Sequence, residues 1–468
     1  MQFQIALRVG IWLYFWLILF EGVLRKWVLP EYSDPIFLIR DPVVILIYAC
    51  AAGARLFPIR PATVTIWTMA VAALLFSFTG ESPFAVTLFG LRTNFLHLPL
   101  VFVIAETFNR RDVVRMGAAL LVTSIPIFLL MLVQFNSDPK DLINTAVGGT
   151  GGLQLRGALG KIRPPGPFSF ISGVVSFIGL ATAFLVYGWQ RRGTFPLWLL
   201  IGGTLAVAAS VPISISRSVL LSLLVVGSFA VVLLLRDRRT MGGVLGPVVA
   251  AGALLAFMGD TIYVQAFVQR WDEANAGASG GFQGSVVDRT LDQFTQPFET
   301  AVAAPLLGHG VGLGTVAGSR LATGNYGFLL SEGELTRAIL ELGPLLGMAF
   351  ICWRTWLAGL IVLRGWSVFV RTGDTLGWLI AGASFLSVFY GQWGPSTNLG
   401  FSVLGAGLAL AALNDPAELD GEPEGEDDDG EEPATPSEAA PEDDGEAHHP
   451  SEPVPALARA PDAPRRRA

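Results

Sequence analysis

Long apolar runs separated by short polar connections fill the first 413 residues of the chain. A helix of about 20 apolar residues spans the hydrocarbon core of a bilayer. The pattern therefore predicts an all-α polytopic membrane protein with about twelve transmembrane helices. The predicted helices cover residues 5–20, 36–54, 62–79, 92–108, 113–133, 168–189, 195–212, 216–235, 241–259, 335–361, 374–391 and 397–413.

A connection of about 70 residues within 260–334 is too long to be a bare loop. We expect an amphipathic helix in it, lying on the outer membrane surface. Ser285 is its expected N-cap, and Pro297 should kink the helix or split it in two. The apolar positions that predict this helix recur at helical spacing: Val287, Leu291, Phe294, Phe298 and Val302.

The last 55 or so residues change in character, because acids, proline and glycine replace the apolar side chains. Such a composition cannot bury a core, so residues 414–468 are predicted to be a disordered acidic tail. The chain is thus divided into a transmembrane helical domain, 1–413, and this tail.

Charge and composition support the membrane class and limit the chemistry. Hydrophobic residues make up 52% of the chain and charged ones 15%. Outside the tail, 27 basic residues stand against 20 acidic ones. Both cysteines fall in predicted membrane helices, and only His97 and His309 lie in the membrane domain, so neither a metal site nor a cofactor is predicted.

The arginines of alternate short loops fall on one side of the membrane in this helix count. The positive-inside rule makes that side cytoplasmic and places both termini there. Those arginines are Arg55, Arg60, Arg110, Arg111, Arg115, Arg191, Arg192, Arg236, Arg238, Arg239, Arg364 and Arg371.

Twelve cations map to the opposite, extracytoplasmic face, against the insertion bias. Some of them should form ordinary ion pairs with Glu21, Asp41 or Asp288. As a set they favour an anionic ligand, because guanidinium groups match phosphate oxygens, and no nucleic-acid partner is predicted. The set is Arg25, Lys26, Arg40, Arg92, Arg156, Lys161, Arg163, Arg217, Arg270, Arg289, Arg320 and Arg337.

Ionisable residues cluster where the long outer connection enters a membrane helix, in the stretch SEGELTRAILELGPLLG. Ionisable groups at such a place are costly, so a functional role is the default interpretation. Glu332 is the candidate base. Glu334 and Arg337 lie three residues apart, and an internal pair and direct chemistry are both open for them. Arg217 begins the eighth helix and faces either the bundle interior or the interface.

Two glycine-containing segments could approach a ligand or serve as plain connections. The first, with GGTGG, carries Arg156 and Arg163 shortly after it. The second, GHGVGLG, carries His309, a second candidate base. No strand precedes this loop, so a dinucleotide-binding role is not indicated, and we expect its glycines to allow a tight turn against the bundle.

Three segments in order, ISISRS, DRTLDQFTQPFETAVAAPLLGHGVGLGT and EGELTRAILELGPLLG, resemble the O-antigen ligase and polysaccharide polymerase family of bacterial envelope enzymes. The resemblance covers roughly residues 168–405, and FEGVLRKWVLP and RPPGPFSF are similar to one branch of the family. The order, spacing and membrane placement of the segments carry the resemblance, since none of them is specific alone.

The resemblance implies a metal-independent glycosyltransferase of class C type in the bacterial cytoplasmic (inner) membrane. Such enzymes move a glycan from undecaprenyl pyrophosphate, a polyprenyl-pyrophosphate carrier, to a sugar hydroxyl of an acceptor glycan or glycolipid at the outer face. By position, Arg217 and Arg289 match the arginines that hold the pyrophosphate. Glu332 occupies the place of the family's usual histidine base, and a carboxylate can also act as a base.

Further substrate contacts are expected from residues near these three: Arg337, Glu334, Arg163, Arg156 and His309. Two other classes of function stay open. A secondary transporter or lipid-linked glycan flippase also uses buried charges and broken helices, although nearer the bilayer midplane. A non-catalytic relative of the ligases is compatible with the missing histidine.

Overall fold

The computed structural model describes residues 2–80, 82–148, 154–236, 241–277, 281, 283–325 and 327–416. Within these ranges the chain forms α-helices, short 3-10 and π-helical turns, and an isolated antiparallel bridge between Arg156 and Ile162. The acidic segment predicted to be disordered lies outside the described residues, apart from its first three positions.

The described residues of the first half of the chain form nine α-helices, two of which are extended by π-helical turns at Leu24–Val28 and Arg92–Leu96. They are α1 (Gln2–Val23), α2 (Ser33–Phe37), α3 (Arg40–Gly53), α4 (Pro61–Ser77), α5 (Phe84–Leu91), α6 (Leu100–Thr107), α7 (Arg110–Asn136), α8 (Ile171–Gln190) and α9 (Leu197–Ile213).

The second half contributes eight more described helices, and a π-helical turn at Gln283–Asp288 leads into one of them. They are α10 (Arg217–Arg236), α11 (Met241–Phe257), α12 (Ile262–Ala276), α13 (Arg289–Ala303), α14 (Val316–Thr323), α15 (Glu334–Thr372), α16 (Leu376–Phe389) and α17 (Ser396–Asn414).

Eight helical segments in the described part of the chain are long and apolar enough to cross a membrane. A ninth candidate is the pair formed by Leu245–Phe257 and Ile262–Ala276, which meet at 94°. Three shorter apolar helices, α4, α9 and α16, accompany them. Each of these elements coincides with one segment predicted from hydropathy. The protein is therefore a polytopic, all-helical membrane protein.

Helix α17 lies at the centre of the bundle, and 94% of its most apolar stretch of 18 residues is buried inside the protein. Its glycines allow neighbouring helices to approach closely, as small residues do at membrane helix interfaces. A side chain at Gly405 would overlap Ser384 of α16, and one at Gly407 would press on Ile104 of α6. This packing holds α6 and α16 against the central helix.

Helix α15 is broken at Gly343, whose φ of +79° and ψ of 166° are not helical. Pro344 follows, and a Cβ at Gly343 would overlap the carbonyl oxygen of Leu306. The glycine is required here because L-residues rarely adopt this φ and because the neighbouring loop leaves no space. Gly343 therefore interrupts the helix predicted over 335–361 and divides α15 into segments 334–342 and 344–372.

The glycine loop at 306–315 packs against the first segment of α15. A turn of this loop against the bundle was expected from its glycines. The backbone N–H of His309 donates to Leu340 O at 2.8 Å, and that of Gly310 donates to Glu341 O at 3.1 Å. Gly308, Gly310 and Gly312 all have positive φ. The loop therefore supplies hydrogen bonds at a place where the break interrupts the regular helical pattern.

Side-chain contacts define the two ends of the bundle. At one end Arg110 pairs with Asp374, Arg60 with Glu106, and Arg364 with Asn414. These arginines were all predicted to share one side of the membrane. We call the other end the loop end.

At the loop end the polar connections fold over one another. Lys26 donates to Gly166 O at 2.7 Å, and Arg320 pairs with Asp34 at 2.6 Å. Gln392 donates to Glu332 O at 2.8 Å. Segments far apart in the chain therefore form one continuous polar surface.

The amphipathic helix of the long connection exists as α13, with two corrections. Ser285 is not its N-cap, because that residue lies in the π-helical turn Gln283–Asp288 and Asp288 precedes the first helical residue. Pro297 does not split the helix, which continues to Ala303. Leu291, Phe298 and Val302 remain exposed, whereas Phe294 of the same stripe is half-buried and stacks on Phe389.

Candidate functional site

A buried ion network joins the two parts of the broken helix α15. In the first segment, Arg337 Nε and Nη2 donate to the two oxygens of Glu334 at 3.0 and 2.8 Å. Arg337 Nη1 donates to Glu341 Oε2 at 2.6 Å, and Nη2 also donates to Asn94 Oδ1 at 3.0 Å. Glu334 and Arg337 thus form the internal pair that the sequence left open.

Arg354, from the second segment of α15, completes this network. Its Nη1 donates to Glu334 Oε1 at 2.8 Å, while Nε and Nη2 donate to the carbonyl oxygens of Val388 and Gly391 at 3.0 and 2.7 Å. The guanidinium carbon lies 3.7 Å from the ring centroid of Trp393. Arg354 therefore ties the start of α15 to the backbone that follows α16.

The four side chains are almost fully excluded from solvent, with exposures between 0% for Arg354 and 6% for Glu334. Two carboxylates face two guanidinium groups, so their formal charges balance. Buried charges are tolerated when they are paired and hydrogen-bonded. The bidentate contacts, together with the Gly314 N–H that donates to Glu341 Oε1 at 2.8 Å, meet that requirement.

Sequence reasoning missed Arg354, although the signal was present. The residue lies well inside an apolar helix predicted over 335–361, where a lone charge needs a partner or a cavity. Only the fold shows that the partner of Arg354 is Glu334, because the break at Gly343 redirects the chain between them.

A cavity of about 440 Å³ opens beside this network. Its size falls within the range of small-molecule sites, about 300–1,000 Å³. One wall belongs to α13 and the others to the segments that precede α15 and follow α16. The lining residues are Asp292, Gln293, Gln296, Ser331, Glu332, Gly333, Glu334, Tyr390, Gly391 and Gln392.

Glu332 lies on the wall of this cavity, two residues before α15 begins. Glu332 is exposed, whereas Glu334 is buried in the ion network. The backbone around it is held by Gln392, which donates to Glu332 O, and by Ser331 Oγ, which accepts from Gly333 N at 3.0 Å. Glu332 is thus the more accessible of the two carboxylates, as expected for a base.

Tyr390 forms part of the opposite wall. Burial raises the pKa of its phenol above the ordinary value, so the hydroxyl stays protonated at neutral pH. The ring packs against Phe294 of α13, with centroids 5.7 Å apart. Phe294 also stacks on Phe389 at 5.6 Å, which fixes α13 against the end of α16.

Three arginines form a second feature of the loop end, which we call the cation cluster: Arg163, Arg217 and Arg270. Burial lowers the pKa of the Arg163 guanidinium below its usual value, and the nearby charges of Arg270 and Arg217 lower it further. Arg217 also lies over the ring of Trp271, 5.7 Å from its centroid. A group of like charges whose fields act on one another provides favourable binding for an anion.

Packing against α8 shows that the cation cluster and the cavity share the loop end. Ser222 of α10 and the Ala383 carbonyl of α16 both approach Gly179, and farther along Trp378 of α16 donates to Phe229 O of α10 at 2.9 Å. The two helices are therefore antiparallel. Arg217 at the start of α10 and Tyr390 just after α16 consequently lie at the same end.

The remaining predicted site residues lie on three different segments of the chain. Arg289 is the first residue of α13, one turn before Gln293, while its side chain lies outside the described residues. Arg156 is exposed on the hairpin that carries Arg163. His309 is half-buried in the glycine loop and is not among the residues that line the cavity.

Several of the twelve outer-face cations serve internal ion pairs. Arg25 and Arg40 both contact Glu21, and Arg92 contacts Asp41 at 2.7 Å. This confirms the expectation that Glu21 and Asp41 pair with some of these cations. Arg320 and Arg337 likewise pair with acids. The collective argument for an anion therefore rests on fewer residues than the sequence suggested, chiefly the cation cluster, of which Arg270 also pairs with Glu273 at 3.5 Å.

Among the described residues, no group of three or more His, Cys, Asp or Glu side chains is arranged to hold a metal ion. Comparison with protein-family models gave no match for the chain, and no curated protein matched it significantly.

Proposed function

We propose that this membrane protein transfers a glycan from a polyprenyl-pyrophosphate carrier to an acceptor sugar hydroxyl. The observation that carries the proposal is the occurrence of the cation cluster and the Glu332 cavity at the same end of the bundle. Glycan transfer from a pyrophosphate needs both a cationic site for the leaving group and a base for the hydroxyl. The similarity to O-antigen ligases and polysaccharide polymerases supports the same chemistry.

In the proposed reaction the acceptor oxygen attacks the anomeric carbon of the donor glycan. The bond between that carbon and the pyrophosphate oxygen breaks, and its electron pair leaves with the pyrophosphate. The hydroxyl proton passes to the Glu332 carboxylate. Arg163, Arg217 and Arg270 stabilise the negative charge that develops on the leaving group, and Arg289 joins them from the start of α13.

Arg337, Glu341 and Arg354 of the buried network position this machinery from outside the cavity lining. Arg354 binds both Glu334, two residues from Glu332, and Gly391, and both of its partners line the cavity. It therefore holds these two segments of the lining together. Direct substrate contact by Arg337 would require the loss of its hydrogen bonds to Glu334, Glu341 or Asn94, so we assign it a positioning role.

The proposal includes a class C type fold with twelve membrane crossings. The three shorter helices and the bent pair would supply the crossings beyond the eight long ones. The loop end would face the outside of a bacterial cytoplasmic membrane, with both termini in the cytoplasm, since the arginine-rich short loops lie at the other end. Acceptors would be glycans or glycolipids.

The test follows the release of undecaprenyl pyrophosphate, which ligases and polymerases share as a product. The full chain is placed in lipid nanodiscs with radiolabelled lipid-linked glycans and acceptors from the native membrane. The unaltered protein should release the carrier, and Glu332→Gln should abolish release while still binding the donor. The matched control is Glu299→Gln on α13, which removes an exposed carboxylate outside the cavity lining. Full activity in Glu332→Gln would contradict the assignment of the base.

A lipid-linked glycan flippase is the second candidate, favoured by a separate chain of buried groups. Tyr14 Oη and His97 Nδ1 lie 3.1 Å apart, and His97 Nε2 lies 3.0 Å from Asp41 Oδ1. Arg92 also binds Asp41. Buried ionisable chains of this kind occur in transporters. In proteoliposomes, movement of the intact lipid-linked glycan across the bilayer without release of the carrier would support the flippase and contradict the transferase.

A further inference from the structure

The cavity beside Glu332 carries an unusual concentration of side-chain amides. Gln293 and Gln296 project from α13 into one wall, and Gln392 belongs to the other. A primary amide offers two N–H donors and a carbonyl acceptor. A sugar hydroxyl likewise donates and accepts, so the amides match the edge of a sugar ring without requiring a charge on it.

Among the described residues, the charged side chains that line the cavity are all carboxylates. Asp292 and Glu332 line the cavity, and Glu334 contributes to its edge with its charge neutralised by two arginines. None of the described lining residues is basic. Carboxylates accept hydrogen bonds from hydroxyls but repel a second carboxylate placed nearby. The electrostatics therefore oppose an acidic sugar.

Tyr390 adds an aromatic surface to the same cavity. Its half-buried ring is held at 5.7 Å from Phe294, and burial raises its pKa, so the phenol remains a neutral donor. A ring with an apolar face and a polar tip suits a ligand that is also apolar on one face and hydroxylated at its edge.

We propose that this cavity is the acceptor subsite and that it binds a neutral, uncharged sugar ring rather than a uronic acid. Gln293, Gln296 and Gln392 bind the ring hydroxyls, and Glu332 receives the proton of the reacting one. The acceptor role rests on the proposed function, whereas the preference for a neutral ring rests on the composition of the cavity. The cation cluster remains the site of the anionic donor.

The test uses the full chain in nanodiscs and three matched pairs of probes: the methyl glycosides of glucose, galactose and mannose, each beside its uronate. Saturation-transfer NMR measures binding. At least one neutral glycoside should bind, and its uronate should bind at least fivefold more weakly. Absence of binding by all three neutral glycosides, or equal or tighter binding of the uronate, overturns the proposal.

Variants of the cavity residues test whether the glycosides bind in this cavity. Gln293→Leu should weaken neutral-glycoside binding at least fivefold, and Gln392→Leu should act similarly. Gln293→Ala, which removes both the donors and the acceptor of the amide, serves if the leucine variant misfolds. The control is Gln269→Leu on α12, whose amide donates to Glu273 and lies outside the cavity lining. Unchanged binding in both Gln293 variants places the sugar elsewhere and overturns the subsite.

The binding result is independent of carrier release. If glycosides bind as expected but no undecaprenyl pyrophosphate is released, the sugar site stands and the transferase proposal fails. If the carrier is released while the Gln293 and Gln392 variants keep the native KM for acceptor, the transferase stands and this subsite is wrong.

Discussion

Arg354 Nη1 donates a 2.8 Å hydrogen bond to Glu334 Oε1 across the break in α15. The two residues are 20 positions apart, and each belongs to a different segment of the helix. Arg354 also donates to the carbonyl oxygen of Gly391. Its two hydrogen bonds therefore connect two segments that line the cavity beside Glu332. The geometry of the candidate site thus depends on a residue that does not line it.

Replacement of Arg354 by methionine should destabilise the protein strongly. Glu334 would lose one of its two guanidinium partners inside the bundle, and removing one partner of a buried ion pair costs about 3–5 kcal/mol. Thermal unfolding in detergent measures the effect. Arg364→Met is the control, because Arg364 lies on the same helix but is exposed, and it donates to Asn414 Oδ1 rather than to a buried carboxylate. Equal melting temperatures for the two variants would refute the structural role of Arg354.

Gly343→Ala should also destabilise the protein and reduce carrier release. An alanine would need the positive φ of this position, and its Cβ would overlap Leu306 O. The matched control is Gly359→Ala in the same helix, where a Cβ meets nothing within 4 Å. That change should be neutral or stabilising by up to about 1 kcal/mol. The prediction fails if both alanine variants melt alike.

Arg163→Gln and Arg270→Gln should each weaken binding of the anionic donor. Hydrogen bonds to charged groups contribute about 1.5–3 kcal/mol, which corresponds to a loss of about tenfold or more in affinity. Isothermal titration with inorganic pyrophosphate measures the binding, which should also weaken as salt rises. Lys140→Gln, an exposed cation of the connection after α7, is the control and should bind normally. Unaltered affinity in both arginine variants would remove the cation cluster from the donor site.

Chelation should leave carrier release unchanged. Arginines provide the positive charge for the leaving group in the proposed reaction, so no divalent ion is required. The rate is measured with and without EDTA, followed by addition of Mg²⁺ or Mn²⁺. A loss of activity that either ion restores would show that the charge comes from a metal instead, and the role given to the cation cluster would then be wrong.

The positions of the helices could be predicted well from the sequence, because burial in a bilayer demands runs of apolar residues that hydropathy reveals. Local spacing also indicated the pair between Glu334 and Arg337, since residues three apart face each other on a helix. The N-cap at Ser285 was wrong because the π-helical turn Gln283–Asp288 delays the start of α13, and local preference alone does not reveal such a turn.

By itself, then, the sequence determined the membrane class, the helical segments and the concentration of charge at the mouth of α15. Only the tertiary structure decided that Glu334 is buried while Glu332 is exposed on the wall of a cavity, and that Arg354 binds Glu334 across the break in α15. It also decided which outer cations pair with acids and which form a cluster, and Arg270 does both. The physical reason is that these relationships depend on the break at Gly343 and on antiparallel packing of α10 and α16, which bring together residues with no regular spacing along the chain.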